Sequence, residues 1–430
     1  MATIDKREQH AKDLLSCVHC GLCLNACPTY LETGSEADSP RGRIVLMRQM
    51  HEGTLSPHDD DVVEHIDRCL GCRACETACP SGVPYGNILE VARDRIEESR
   101  VRPTSVSLAR KALLKTLTNP TALCLSMHAA SRFTKGRVPA QAVSLISGRT
   151  DGAVSQNLYM GEGITDASPP SLIPSVGVRR YRVAVLSGCA MRVLFGETNA
   201  ATNRVLAANG CDVHVINPQG CCGALHLHNG QGEIGRKLAR ALVDSFSPLD
   251  AYDAIVVNSA GCGSTMKDYG RLLEDDGTYA EKAAEFAAKV KDISEFLHDI
   301  GWVAPLKPLG QGDVRVTYHD ACHLLHGQHI QEAPRVLLGL IPGVTLVPLD
   351  ETEICCGSAG IYNLTEPEMA HRLRARKLGN IMRTGASIVA TGNPGCLAWI
   401  HSGLQEANTS SIRVAHPIAL LDEALAGSDD

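Results

Sequence analysis

The rhythm of apolar positions changes along the chain. In SPRGRIVLMRQMHEG (39–53), Ile44, Leu46, Met47 and Met50 recur at roughly helical pitch and predict a helix. Between 105 and 133, Leu108, Leu113, Leu114, Leu117, Leu123 and Leu125 lie among basic residues, as in one or two amphipathic helices. From 182 the pattern alternates. YRVAVLSGC, CDVHVI and AYDAIVVNSAGC read as strands separated by helices at 197–209 and 233–246. VRVTYHDAC, VTLVPL and ASIVATGNPGC repeat that order, with helices near 333–341 and 366–384. Each unit is βαβαβ, which implies a parallel sheet covered by helices. The chain is therefore expected to be multidomain. A mainly helical domain over 1–100 precedes a basic helical segment with a Pro/Ser-rich linker over 101–178. Two tandem α/β units follow over 179–310 and 311–430. No run of eighteen apolar residues occurs, which excludes a conventional transmembrane helix.

The two α/β units carry cysteines in register. Cys189, Cys221, Cys222 and Cys262 recur as Cys322, Cys355, Cys356 and Cys396, offset by 133 at the first position and 134 at the other three. Such a regular offset marks duplicated supersecondary units. The cysteines fall at strand C-terminal ends, where open α/β sheets place ligand sites. Adjacent cysteines in CCG cannot both face one centre from a regular strand or helix, so a shaped loop is expected. Free cysteine is a good small core residue, but core packing does not predict the same four positions twice. Each set is expected to converge on its own centre at its own sheet rim, holding a further [4Fe-4S] cluster or zinc.

Length and charge narrow the classes. At 430 residues the chain is too long for one ordinary core. A net charge of −7 gives no basic footprint for nucleic acid, so none is expected as a partner. The charged start MATIDKREQH has no apolar signal region, which implies a cytoplasmic protein. Eighteen cysteines in such a chain point to metal ligation rather than disulfides. Between 101 and 150, eight Lys or Arg meet no Asp or Glu. That face suits an acidic membrane surface, an acidic partner or the chain's own core.

The first eight cysteines carry the sharpest signal. SCVHCGLCLNACP (16–28) and RCLGCRACETACP (68–80) each have the spacing C-x2-C-x2-C-x3-C-P, the ligand run for a [4Fe-4S] cubane. In two-cluster proteins the fourth cysteine of each run ligates the other cluster. Cys17, Cys20, Cys23 and Cys79 are thus assigned to one cubane, and Cys69, Cys72, Cys75 and Cys27 to the other. Paired zinc knuckles have no use for the third evenly spaced thiolate. Gly21 and Gly71 suit backbone close to a cluster. Arg41 and Arg43 either raise a cluster's potential by charge compensation or cap and solvate a helix start. Cys124 and Cys211 are left over. Gly230, Gly232 and Gly235 spell G-x-G-x-x-G but do not directly follow a strand, which argues against a dinucleotide site. His226, His228, His319, His323, His326 and His329 flank the repeat cysteines as spare ligands, proton carriers, quinone contacts or ordinary loop residues.

A tandem [4Fe-4S] domain followed by two C…CCG…C repeats resembles the iron-sulfur subunits of bacterial glycolate oxidases. The resemblance is tightest at SCVHCGLCLNACPTY, SPRGRI, DRCLGCRACETACPSGVPY, GCCGALHLH, SAGCG and CCGSAGIYNLT. It extends to iron-sulfur subunits of lactate and glycerol-3-phosphate dehydrogenases and to a heterodisulfide reductase subunit. It implies that FAD-containing flavoprotein subunits oxidise a 2-hydroxy acid while this chain, not catalytic alone, passes electrons to a membrane quinone. Peripheral contact with the cytoplasmic face of the inner membrane is implied with it. The reductase repeats end in C-x2-C with five cysteines each; here the first of that pair aligns with Ser259 and Asn393. A thiol-disulfide oxidoreductase is accordingly the alternative, and a zinc scaffold that docks flavoproteins a third reading.

Overall fold

The computed structural model describes residues 6–149, 155–159, 161, 170–409 and 411–426. Parts of the expected linker, 150–154, 160 and 162–169, lie outside the described residues. The N-terminal part is helical. Its central helix, Pro40–Glu52, starts with Ser39 Oγ accepting from the Gly42 amide and ends at Gly53 with φ +79°. It buries Ile44, Met47 and Met50 against Ile88, Leu89, Ala92 and Ile96 of helix Tyr85–Glu98.

The basic segment forms three helices, Thr104–Leu117, Pro120–Thr134 and Ala140–Ser147. It also contributes a short antiparallel pair, β1 (Arg137–Val138) and β2 (Gln156–Asn157). Of the six leucines that suggested amphipathic helices, only Leu114 and Leu123 are buried, while Leu108 and Leu125 stay exposed. Arg102 and Arg110 turn inward onto Asp67, at 2.6 and 3.5 Å. Part of the basic face thus packs on the chain's own carboxylates. Among the described residues no helix is long and apolar enough to cross a membrane.

The first repeat contains β3 (Leu172–Ile173), β4 (Tyr181–Leu186), β5 (Cys211–Val215), β6 (Ala254–Val257) and β7 (Val290–Asp292), in the order β3-β5-β4-β6-β7. The second contains β8 (Val314–Tyr318), β9 (Val344–Val347), β10 (Ile388–Ala390) and β11 (Arg413–Ala415), in the order β11-β10-β8-β9. Every pairing within these two sheets is parallel except that of β3 with β5. The expected βαβαβ unit is therefore one strand short in both copies. β7 and β11 have three residues each, too few to show a period of two. β3, inside the expected linker, adds an antiparallel edge to the first sheet.

The repeats share one apolar core. Val205, Leu206, Phe296 and Leu297 of the first pack with Leu337, Leu338, Ile418 and Leu421 of the second. Their strand-end loops also bond directly: the Ala260 amide donates to Gly392 O at 3.1 Å, and the Gly261 amide to Asn393 Oδ1 at 3.2 Å. The C-terminal rims of the two sheets consequently meet.

Candidate metal centres

Local chain geometry puts each cysteine at a rim. β4 and β8 lead into Cys189 and Cys322, which open short helices. β6 and β10 lead into helices Ala260–Lys267 and Pro394–Glu406, whose first turns hold Cys262 and Cys396. Helix N-termini carry partial positive charge and favour a thiolate there. The CCG loops follow β5 and β9. Their glycines, Gly223 and Gly357, have φ of +82° and +91°, and a Cβ would lie 2.8 Å from Gly235 O or 2.7 Å from Ala370 O. Only glycine allows the backbone to turn both adjacent thiols to one side.

The thiols of each repeat touch in series. Cys189 Sγ lies 3.6 Å from Cys221 Sγ, and Cys222 hydrogen-bonds Cys221 and Cys262. Cys322 bonds Cys355, Cys355 bonds Cys356, and Cys356 Sγ lies 3.5 Å from Cys396 Sγ. The hydrogen bond to the neighbouring thiol, with burial, raises Cys189, Cys222 and Cys322 well above the ordinary thiol range. Sulfurs 3.5–3.6 Å apart can share one metal, since bonds of about 2.3 Å give a tetrahedral S···S edge of about 3.8 Å. The donor chemistry fits a thiolate-ligated metal or cluster.

Each set lies at the rim of its own sheet, and all eight cysteines line a single cavity of about 290 Å³, which also reaches Cys69. Because the rims meet, two half-sites open on one space.

The N-terminal cysteines gather in crossed sets. Cys17, Cys20, Cys23 and Cys79 border one pocket, and Cys27, Cys69, Cys72 and Cys75 border another, with Cys75 touching both. Gly71, at φ +65°, directs its amide to Cys69 Sγ at 3.4 Å, and the Tyr85 hydroxyl approaches the same sulfur at 3.6 Å. Arg43 neither caps nor solvates a helix. It is 1% exposed, with Nη1 3.0 Å from Thr29 Oγ1 and 3.9 Å from Cys27 Sγ. Arg41 pairs with Glu36 and donates to His19 O at 3.2 Å. Burial, followed by the nearby Cys322, raises the thiol of Cys72. Leu70 belongs to, and Cys72 packs against, the apolar cluster that holds Cys355 and Cys356, which joins the N-terminal domain to the second repeat.

The same architecture occurs in known proteins. The 4Fe-4S dicluster domain family matches residues 13–83, and the cysteine-rich domain family matches 183–267 and 316–401. Over 97% of its length the chain is 37% identical to the probable glycolate oxidase iron-sulfur subunit of Bacillus subtilis, covering 96% of that protein. Over 96% of its length it is 36% identical to the glycolate oxidase iron-sulfur subunit of Escherichia coli, covering 94%. The chain belongs to the glycolate oxidase iron-sulfur subunit family. Similarity extends to a subunit of the fumarate reductase (CoM/CoB) of Methanothermobacter marburgensis, 29% identical over 98% of this chain and 74% of that one.

Within this chain most of the candidate histidines are clasps between domains. His228 Nδ1 meets Glu90 at 3.0 Å, His323 Nε2 meets Gly71 O at 3.0 Å, and His326 Nδ1 meets Thr77 Oγ1 at 2.9 Å. His226 binds Thr118 Oγ1 at 3.1 Å, and His329, at φ +58°, ends helix Cys322–Gln328. His319 is fully buried with Nδ1 3.1 Å from Thr352 O, and burial lowers its pKa well below the ordinary range. The G-x-G-x-x-G turn is a docking surface: a Cβ on Gly230 would meet Arg93 O at 2.5 Å, and the Gly232 amide donates to Asp94 at 2.9 Å. Cys211 is core in β5, and Cys124 lies beside His128. Lys377, missed in the sequence, is 2% exposed and donates to Glu351 O and Thr352 O near Cys355 and Cys356. In helix Pro367–Arg383 it is one of several basic residues, with no signal to single it out.

Proposed function

We propose that this chain is the electron-transfer subunit of a glycolate or related 2-hydroxy-acid dehydrogenase complex, carrying electrons from FAD-containing flavoprotein subunits towards a membrane quinone. The observation that carries the reading is the unbroken series of cysteine sets. It starts at exposed Cys20, passes through Cys75, which borders both N-terminal pockets, and reaches the second-repeat cluster against which Cys72 and Cys322 both pack. Bound [4Fe-4S] clusters accept and release one electron each. In the assignment we favour, Cys17, Cys20, Cys23 and Cys79 hold the first cubane and Cys27, Cys69, Cys72 and Cys75 the second. The second repeat holds a further centre on Cys322, Cys355, Cys356 and Cys396, and the first repeat a fourth metal on Cys189, Cys221, Cys222 and Cys262. Buried Arg43 offsets thiolate charge at Cys27, and the His323–Gly71 clasp fixes the second ligand loop against the repeat.

Anaerobic purification with the partner subunits, followed by iron, sulfide, zinc and flavin counts, tests this. The isolated chain should hold iron and sulfide, no flavin, and show no glycolate oxidation. Flavin retained by the isolated chain, or turnover without partners, overturns the proposal.

The shared cavity supports a second reading, a thiol-disulfide reductase whose substrate enters between the repeats. It ranks second because Ser259 and Asn393 stand where a reductase repeat has its fifth cysteine. Thiol release from a small disulfide by the dithionite-reduced chain would favour it.

A further inference from the structure

The repeats match in their cysteines but not in what surrounds them. Three residues before Cys322 stands His319; the same step before Cys189 finds Leu186, packed in the apolar core of the first repeat. A ring nitrogen of His319 and the sulfurs of Cys356 and Cys396 all lie within 4.8 Å of one another, and all three residues are buried. Nδ1 is engaged with Thr352 O, and since a carbonyl only accepts, Nδ1 carries the proton. Nε2 is buried without a partner. A buried polar atom left unpaired is costly, so an unpartnered nitrogen on a ring beside two thiols calls for an explanation. An imidazole whose other nitrogen donates to a backbone carbonyl is the common arrangement of a metal-bound histidine.

We propose that His319 Nε2 is a fifth ligand of the second-repeat centre, so that the two repeats hold chemically different centres. The inference rests on the reading above that the second repeat binds a metal. The structure supplies a further difference of the same sense. Lys377 sits near Cys355 and Cys356, whereas the corresponding position in the first repeat is Val243 in the apolar core. The second centre thus has an imidazole and a buried lysine at positions where the first repeat has Leu186 and Val243. Both features disfavour extra negative charge less than thiolates alone do. The second repeat is therefore the electron-accepting end of the pair.

The test uses the full chain, purified anaerobically with its partners. Wild-type protein labelled with ¹⁵N-histidine should show a directly bound nitrogen, by hyperfine spectroscopy for an iron centre or by X-ray absorption for zinc. His319→Leu, copying the first repeat, should lose that signal and the metal of one centre while the N-terminal cluster spectra stay. His319→Gly should regain the metal when imidazole is added. A wild-type centre with sulfur ligands only, or a His319→Leu protein with unchanged metal count and spectrum, overturns the proposal. Cys356→Ser separates the two readings. If it removes metal and His319→Leu does not, histidine ligation fails alone; if neither removes metal, the second-repeat centre itself fails and the inference with it.

Discussion

The two repeats are the same scaffold given different surroundings. Both present a strand order of second, first, third and fourth, both turn CCG through a left-handed glycine, and both string four thiols in contact. The differences lie one layer out. Ser259 hydrogen-bonds Cys262 in the first, and Asn393 Nδ2 lies 3.7 Å from Cys396 Sγ in the second. Cys72 of the N-terminal domain packs against the apolar cluster around the second set. Duplication supplies the thiols, and the neighbours decide what each set does.

The largest test of that contrast pairs Cys356→Ser with Cys222→Ser. Each should lose the metal of its own repeat, but only Cys356→Ser should abolish electron transfer from glycolate to quinone in the assembled complex. Equal loss in both would make the repeats functionally equivalent. Next, Gly223→Ala and Gly357→Ala should cost about the same, about 1–3 kcal/mol each, from left-handed strain and backbone collision. Denaturation of the metal-loaded chain measures this, and a large difference would show that the loops are not equivalent.

Lys377→Met probes the asymmetric layer. Leaving the Glu351 and Thr352 carbonyls without their donor should cost about 1–3 kcal/mol. Loss of the cation should also lower the potential of the second-repeat centre alone, as read by redox titration. The smallest effect is shared. Cys189, Cys222 and Cys322 are raised, so each must release a proton on metal binding, and apparent metal affinity should rise with pH in both repeats. A metal-competition series across neutral pH checks the sign.

Much of this was legible in the sequence. The strands YRVAVL, CDVHV and VRVTY are short apolar runs bounded by glycine or polar residues, and Tyr181–Leu186, Cys211–Val215 and Val314–Tyr318 form there. Helix Pro367–Arg383 differs from its expected span by one residue at either end. What escaped was either short or tertiary. Three-residue strands carry no period, and the meeting of the two rims depends on helices such as Gly196–Ala208 packing across repeats, which no local pattern encodes. His319, His323, His326 and His329 look alike in HDACHLLHGQH. Only burial and partners separate a ring aimed at thiols from rings that clasp a neighbouring domain.

The clasps have a consequence for how the molecule is made. Cys27, Cys69 and Cys75 are buried, and the loop that carries Cys69 is held by Arg93, which donates to both Cys69 O and His228 O, and by the Tyr362 hydroxyl on Arg68 O. Delivery of a cofactor to the second set is therefore easier before the repeats dock, whereas the set that includes exposed Cys20 stays open to solvent on one side.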